Sequence, residues 1–333
     1  LIIPARDEEK NLARLFTSIN ELSIQPSEII VVDDHSTDRT ADVARAAGAT
    51  VHPAPPLPAG WRGKTWACWH GAQKATGNTL LFLDADTLLQ PQAIQRIQQA
   101  YEGRKVLSLG PWHAVEQPYE QLSAVFNLMM FMGMGSFSLF GSPDDPRGLF
   151  GPFLLIDRDV YFDVGGHEAV RGEILEHMTL CQRLRERNIP MRCLGGRDTV
   201  HFRMYPDGFS SLVEGWTKAF AAGASKTEPM TLMLTVAWMT GGMLAFIFTL
   251  LDPIYLITYG AYVISFYRML GPIGRFSIWS CIFYPGLLVA FFIIFGRSAL
   301  RRRRGDSVTW KGRTIDTAAG GESSSRVQVS VLG

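Results

Sequence analysis

Leu80-Leu81-Phe82-Leu83-Asp84-Ala85-Asp86-Thr87 sets four apolar residues, as in a strand buried on both faces, directly against two carboxylates one residue apart. In an open α/β sheet, ligands bind beyond the carboxyl ends of the strands. Asp84 and Asp86 are therefore expected in a cleft, their side chains starting on opposite faces of the strand end. One carboxylate is then available to a divalent cation, Mg2+ or Mn2+, which bridges carboxylate oxygens to substrate phosphates, and the other to a ribose or base. A polar turn is the plainer reading of the same residues, because Asp is an ordinary turn residue.

The chain upstream repeats the pattern. Leu1-Ile2-Ile3 reads as a first strand that breaks at Pro4 into the loop Ala5-Arg6-Asp7-Glu8-Glu9, with a helix from about Asn11. Ile29-Ile30-Val31-Val32 reads as a second strand ending in Asp33-Asp34-His35-Ser36-Thr37-Asp38, whose last residues can cap a following helix. Strand and helix alternate up to Asp86, predicting a doubly wound, Rossmann-like α/β domain with three strand ends on one rim.

In order and spacing, Pro4-Ala5-Arg6-Asp7-Glu8-Glu9, Val31 to Asp38, Gly63-Lys64 and Asp84-Ala85-Asp86 resemble the family 2 glycosyltransferases of the GT-A fold. The resemblance implies that Ala5, Arg6, Glu8 and Asp33 or Asp34 contact the nucleoside of a nucleotide-sugar donor and that Asp84 contacts its ribose. It implies that Asp86 holds the metal on the diphosphate and that Lys64 reaches the nucleotide or its phosphates, a role suited to a compact ammonium on a long stem. Leu57 to Cys68, with Gly60-Trp61-Arg62-Gly63-Lys64 at its centre, and Gly196 to Pro206 are similar to bacterial carotenoid glycosyltransferases acting on carboxylates of the 4,4'-diaponeurosporenoate type. Hopanoid-associated glycosyltransferases share the Gly-Trp-x-Gly-Lys element and stand as the close competitor.

On the acceptor side, the family places a Glu-Asp pair at the start of a helix beside the cleft. Glu176 matches its first member, but His177 stands where the family has Asp, which leaves the base open between Glu176, His177 and neither. An acceptor carboxylic acid, which ordinarily titrates at about pH 4, is already ionised near neutral pH and needs no strong base. His201 and Arg203, after a strand around Asp198-Thr199-Val200, are candidates for metal or diphosphate contact. Trp216 resembles the acceptor-lining Trp of the family's Gln-x-x-Arg-Trp motif without its Gln and Arg, and an interfacial anchor is the other reading.

The 333 residues carry a net charge of +1 and no basic stripe interleaved with aromatics, which argues against a nucleic-acid partner. Cys68, Cys181, Cys193 and Cys281 lack zinc-site spacing and point to a reducing compartment. The chain opens on a core strand without an initiator Met, so an anchoring helix ahead of Leu1 is an expectation.

Composition divides the chain into a catalytic domain over 1–228, a membrane region over 229–298 and a basic, disordered cytoplasmic tail over 299–333. Thr231–Leu251 is uncharged and long enough to span, and Ile278–Phe295 is a second candidate at the short end of the range. Arg301 to Arg304 should stay cytoplasmic. A nucleotide-sugar-using domain upstream should also be cytoplasmic, so the crossings must be even in number, with Pro253–Tyr267 not spanning. Leu122–Phe140, rich in Met and Phe, is expected as an interfacial helix near an acceptor tunnel, a buried core helix being the alternative.

The sequence therefore predicts a multi-pass cell-membrane enzyme moving a sugar, glucose from UDP-glucose, onto an apolar, lipid-like acceptor. Polyprenyl-phosphate or hopanoid acceptors and a GT-A-like nucleotidyltransferase are the competing enzymes. A non-catalytic nucleotide-sugar sensor is the competing class, favoured by His177 and opposed by the intact Lys64, Asp84 and Asp86.

Overall fold

The computed structural model describes every residue except 138–140, 174, 224–227, 305–307, 311–312 and 316–333. In chain order, β1 (Ile2–Ala5), α1 (Glu9–Asn20), β2 (Ile30–Asp33), α2 (Thr40–Ala46), β3 (Thr50–Pro53), α3 (Gly63–Lys74) and β4 (Thr79–Leu83) form the first half of the sheet. They are followed by β5 (Thr87–Leu89), α4 (Ala93–Tyr101), β6 (Val106–Gly110), β7 (Trp112–His113), α5 (Ser123–Gly133), β8 (Phe153–Asp157), α6 (Arg158–Asp163), α7 (Glu176–Glu186), β9 (Met191–Gly195) and β10 (Val200–Phe202). The helices α8 (Phe209–Gly223), α9 (Pro229–Leu251), α10 (Leu256–Leu270), α11 (Ile278–Ile282) and α12 (Tyr284–Arg304) complete the layers that position the site.

Among the described residues, seven strands run in the order β3-β2-β1-β4-β8-β6-β9. Pairing is parallel except at β8, which lies antiparallel to both β4 and β6. The expected alternation holds from β1 to β4. Asp38 anchors the first two helices at once, accepting from the Thr40 N–H at 2.9 Å and from the Glu9 N–H at 3.1 Å, and α1 accordingly begins two residues before Asn11. Two apolar cores sandwich the sheet. One includes Ile2, Val32, Phe82 and Tyr161, and the other Ile3, Val31, Leu83 and Phe153, as alternation along each strand requires.

A third core joins α5, α8, α9, α10 and α12 and includes Phe126, Trp216, Phe266, Tyr284 and Phe291. Here two expectations are corrected. The stretch from Leu122 forms an enclosed helix whose residues Ser123 to Met129 are all buried, because its apolar residues cover every side rather than one stripe. It is a core helix and does not lie on an interface; residues 138–140 of that stretch are outside the described residues.

The stretch Ile278–Phe295 is two helices, not one. Ser277 caps α11, its hydroxyl accepting from the Ser280 N–H, and Pro285 at the start of α12 has no N–H to carry a helical ladder across Phe283. Among the described residues, α9 alone is long and apolar enough to cross a membrane, and Tyr284–Leu300 is a shorter apolar helix. Within the stretch expected as a disordered tail over 299–333, residues 299–304 continue α12 and the strand Val308–Trp310 pairs antiparallel with Arg313–Ile315, which departs from that expectation; from 316 onward the tail lies outside the described residues.

Candidate active site

The first two strand ends bring their loops together through backbone strain. Asp7 and His35 both sit at positive φ, 53° and 59°, which non-glycine residues seldom adopt. Asp7 Oδ1 accepts the Thr37 N–H at 2.7 Å, tying the β1 loop to the β2 loop. At the third strand end, the Asp84 carbonyl accepts from both the N–H and the hydroxyl of Thr87, at 3.2 and 2.7 Å. This turn redirects the chain into β5, which pairs antiparallel with β10 in a separate three-stranded sheet, so Asp84 and Asp86 stand at a corner between two sheets.

A cleft of about 170 Å³ opens at this corner, lined by Ala5, Arg6, Glu8, Asp34, Lys64, Asp84 and Asp86 among others. Asp33 does not reach it: its carboxylate accepts the Ser36 N–H at 3.1 Å and shapes the loop. Of the two adjacent aspartates, Asp34 faces the cleft, with Arg6 3.7 Å away. Lys64, in the first turn of α3, crosses to Asp84 at 2.7 Å and approaches the Gly151 carbonyl at 3.5 Å. Its ammonium is held above the ordinary lysine range: burial opposes this, but the charges of Asp84 and Glu176 outweigh it.

Asp86 makes no ion pair among the described residues. The residue is open to solvent at the cleft, yet its carboxyl is crowded by protein. That crowding, followed by the charges of Asp84 and Glu8, pushes it up to about 6. A carboxylate short of positive partners is a suitable ligand for a divalent cation, and one or two such carboxylates plus substrate phosphates suffice for Mg2+ or Mn2+.

On the far side of Lys64, a small cavity is lined by Asp84, Gly151, His167, Glu176 and His177. Burial would raise the Glu176 carboxyl, but the His177 ring beside it and then the Lys64 cation outweigh burial and hold it near about 2. The two side chains are close without a hydrogen bond, His177 Nδ1 lying 3.7 Å from Glu176 Oε1. Gly151 is the pivot of this cavity: a Cβ there would lie 3.1 Å from His177 Nδ1, 3.4 Å from Glu176 Oε1 and 3.6 Å from Lys64 Nζ.

On the other side of Asp86, a cavity of about 400 Å³ is shared by Glu8, Asp86, Arg203 and Tyr205. Arg203 borders it while paired with Glu116 at 2.8 Å and with buried Glu120 at 2.7 Å. His201 lies elsewhere. Its ring packs 4.8 Å from that of Trp112, with Nδ1 on Gln90 at 3.1 Å and Nε2 against the Arg197 carbonyl, which corrects the expectation of a metal or diphosphate contact. Trp216 is buried in the helical core, stacked on Phe126 at 4.7 Å, and its ring meets edge-on, at 5.8 Å, that of Tyr205, which lines the cavity beside Asp86. Gly151, His167 and Tyr205 were not singled out from sequence. The Gly151-Pro152 and Gly165-Gly166 pairs, breaking otherwise apolar stretches, were the available signals.

Residues 1–161 match the family described as Glycosyl transferase family 2. Along 326 residues, 94% of this chain and 87% of the relative, the sequence is 36% identical to 4,4'-diaponeurosporenoate glycosyltransferase of Staphylococcus aureus strain MRSA252. The chain belongs to the family 2 glycosyltransferases. The same identity and coverage relate this glycosyltransferase to the protein of that name from S. aureus strain USA300. Among solved structures, glucosyl-3-phosphoglycerate synthase from Mycobacterium tuberculosis, in complex with Mn2+, UDP and glucosyl-3-phosphoglycerate, superposes with a TM-score of 0.43. It is 20% identical, over 68% of this glycosyltransferase and 78% of that chain. The glycosyltransferase has the mixed α/β, GT-A-like architecture anticipated from its strand ends.

Proposed function

We propose that this glycosyltransferase moves glucose from UDP-glucose onto the carboxylate of a carotenoid acid, with inversion, to give a glycosyl ester at the cytoplasmic face of the cell membrane. The observation that carries the reading is the extent of the relatedness. Identity to the diaponeurosporenoate enzyme continues well past residue 161 and through the helical core, the half of the chain that would meet the acceptor.

In this reading, Ala5, Arg6, Glu8 and Asp34 hold the nucleoside and Asp84 the ribose. Lys64 lies against the phosphates, and Asp86 is the ligand for Mg2+ or Mn2+. When bound, such a cation neutralises charge on the departing diphosphate. An acceptor carboxylate oxygen attacks the anomeric carbon while the bond from that carbon to the diphosphate oxygen breaks, and UDP leaves with the electron pair. No proton has to be removed, since a carboxyl of ordinary pKa about 4 is ionised near neutral pH. Glu176 fits this choice of acceptor: a carboxylate held near about 2 is a poor proton acceptor, so a hydroxyl acceptor would have to rely on His177 as its base. Glu176 and His177 then frame the acceptor group rather than deprotonate it.

The domain organisation follows: a catalytic part over 1–228, a membrane region over 229–298 and a basic tail over 299–333. Large apolar side chains exposed on α9, α10, α11 and α12, among them Met233, Leu251, Ile257, Trp279 and Ile293, support embedding of this face in lipid. Two crossings, one by α9 and one by α11 with α12, would return the Arg301-to-Arg304 end to the cytoplasm. The test is mass spectrometry of lipids from cells expressing the chain with and without a carotenoid-acid pathway. A glucosyl ester that appears only when both are present is expected, and turnover of another lipid class without any carotenoid product would overturn the reading.

A further inference from the structure

The cleft at the strand ends is too small for a whole nucleotide sugar. At about 170 Å³ it falls below the roughly 300–1,000 Å³ of sites that enclose small molecules. The adjoining cavity of about 400 Å³ shares Glu8 and Asp86 with it, so a donor whose diphosphate is held at Asp86 has room to extend there. That cavity has no lining residue in common with the one formed by Glu176 and His177.

Tyr205 lines this second space, and the fold is built to hold its ring. The residue takes a φ of 55°, a left-handed backbone that a bulky side chain seldom adopts and that persists only where its surroundings fix it. Tyr119 is one such constraint, its hydroxyl donating to the Tyr205 carbonyl at 2.8 Å. Gly215 on α8 is another. A Cβ there would lie 2.1 Å from Tyr205 Cε1 and 2.5 Å from its hydroxyl oxygen, so the ring crosses the helix where only backbone is present. Trp216, which meets the ring edge-on, is itself fixed by the stack on Phe126 and by its Nε1–H on Ser123 Oγ at 3.3 Å.

This packing leaves the Tyr205 hydroxyl unused. It makes no hydrogen bond among the described residues and is not sealed from solvent. A phenol of ordinary pKa about 10 keeps its proton near neutral pH and is a donor. Burial, and after it the charge of Asp86, push this one further up. Arg203, in the same cavity, already has its charge matched by Glu116 and Glu120.

We propose that Tyr205 is a diphosphate-binding residue: its phenol O–H donates to a phosphate oxygen of the nucleotide held at Asp86. The inference rests on the reading of Asp86 as the ligand of the cation on that diphosphate. The cation supplies charge, and Tyr205 supplies direction from a ring that Gly215, Trp216 and the anchored carbonyl keep in place.

The experiment is calorimetric titration of the full chain in detergent with UDP, and with uridine by displacement, both in saturating Mn2+. Tyr205→Phe loses one oxygen and keeps the ring. It should bind UDP about tenfold or more weakly, the size of one hydrogen bond to a charged group, and uridine within about twofold, because uridine has no phosphate. Gly215→Ala, which keeps the hydroxyl but displaces the ring, should show the same selective loss. Wild-type UDP affinity in Tyr205→Phe would overturn the proposal. So would equal losses for UDP and uridine, which mark a merely structural role, or a loss confined to the KM of the acceptor. If Gly215→Ala does not fold, Tyr205→Phe decides alone. Asp86→Asn separates the layers. Undiminished Mn2+-dependent UDP binding there removes the reading of Asp86 itself, whereas impaired binding there beside an unimpaired Tyr205→Phe removes the role of Tyr205 alone.

Discussion

Lys64→Met tests whether the ammonium between Asp84 and Glu176 organises the site. At 2.7 Å, the Lys64–Asp84 pair has a gross Coulomb attraction of about 6 kcal/mol at an effective dielectric of 20. Most of that is offset by desolvation, and the side chains are 31% and 25% exposed, so screening reduces it further. Removing the cation also takes away one of the charges that keep buried Glu176 ionised. The expected destabilisation is about 1–3 kcal/mol, below the roughly 3–5 kcal/mol of a fully buried broken pair. UDP binding should weaken as well, by about 10- to 100-fold, the loss of one charge-assisted contact of roughly 1.5–3 kcal/mol. A double-mutant cycle with Asp84→Asn, read by denaturant melts of the detergent-solubilised protein, should give a coupling of about 1–2 kcal/mol. Strict additivity of the two substitutions, together with unchanged UDP affinity, would refute the reasoning.

Three further outcomes are expected. Because the Asp86 carboxyl is raised to about 6, protons compete with a cation there: Mn2+ affinity measured by calorimetry should fall as pH drops through about 6, level off above it, and be lost in Asp86→Asn. Glu176 is held below its ordinary 4.5, so its ionised form stabilises the fold above pH 4.5, a contribution lost progressively as pH falls toward about 2. Glu176→Gln should therefore destabilise at pH 7 and much less at pH 3 in acid-melt comparisons. Gly151→Ala should cut activity by about tenfold with a stability change near 1 kcal/mol, since the methyl, 3.1 Å from His177 Nδ1, pushes that ring by a few tenths of an ångström while meeting Glu176 and Lys64 at ordinary contact distance; full activity would show that the His177 position does not matter.

What could be read from the sequence was what depends on near neighbours along the chain. The apolar run ending at Asp84 and Asp86, the break at Pro4 and the capping by Asp38 are local signals, and the three strand ends met as expected. The choice between Asp33 and Asp34 was not local, because it turns on which carboxylate the Ser36 N–H captures. His201 misled because a polar residue next to a strand carries no sign of which way it faces, and Trp112 and Gln90, which hold it, are remote in sequence. Trp216 was read from a partial motif, and a motif carries no sign that the ring stacks on Phe126, remote in sequence, within a core. The hydrogen bond between Tyr161 and His167 had a visible marker in Gly165-Gly166, but the partner ring six residues away could be placed only in three dimensions. The interruption at Phe283 was marked by Pro285 and overlooked in favour of hydropathy.

The one reversed strand has a consequence for how the chain is made. β4 is complete once Leu83 has been synthesised, but the edge that pairs residues 79–83 with Asp157 to Phe153 stays bare until β8 has left the ribosome. In the interval, β6 has also emerged without a neighbour, since β8 separates it from β4. The nascent chain therefore carries Leu80-Leu81-Phe82-Leu83 as an open, apolar sheet edge for roughly seventy residues of translation, the kind of surface that chaperones cover and other chains pair with. A chain stalled or truncated before Phe153 would keep that edge permanently, holding a half-built cleft in which Lys64 and Asp84 are present while Gly151, Pro152 and the β8 side of the sheet are incomplete.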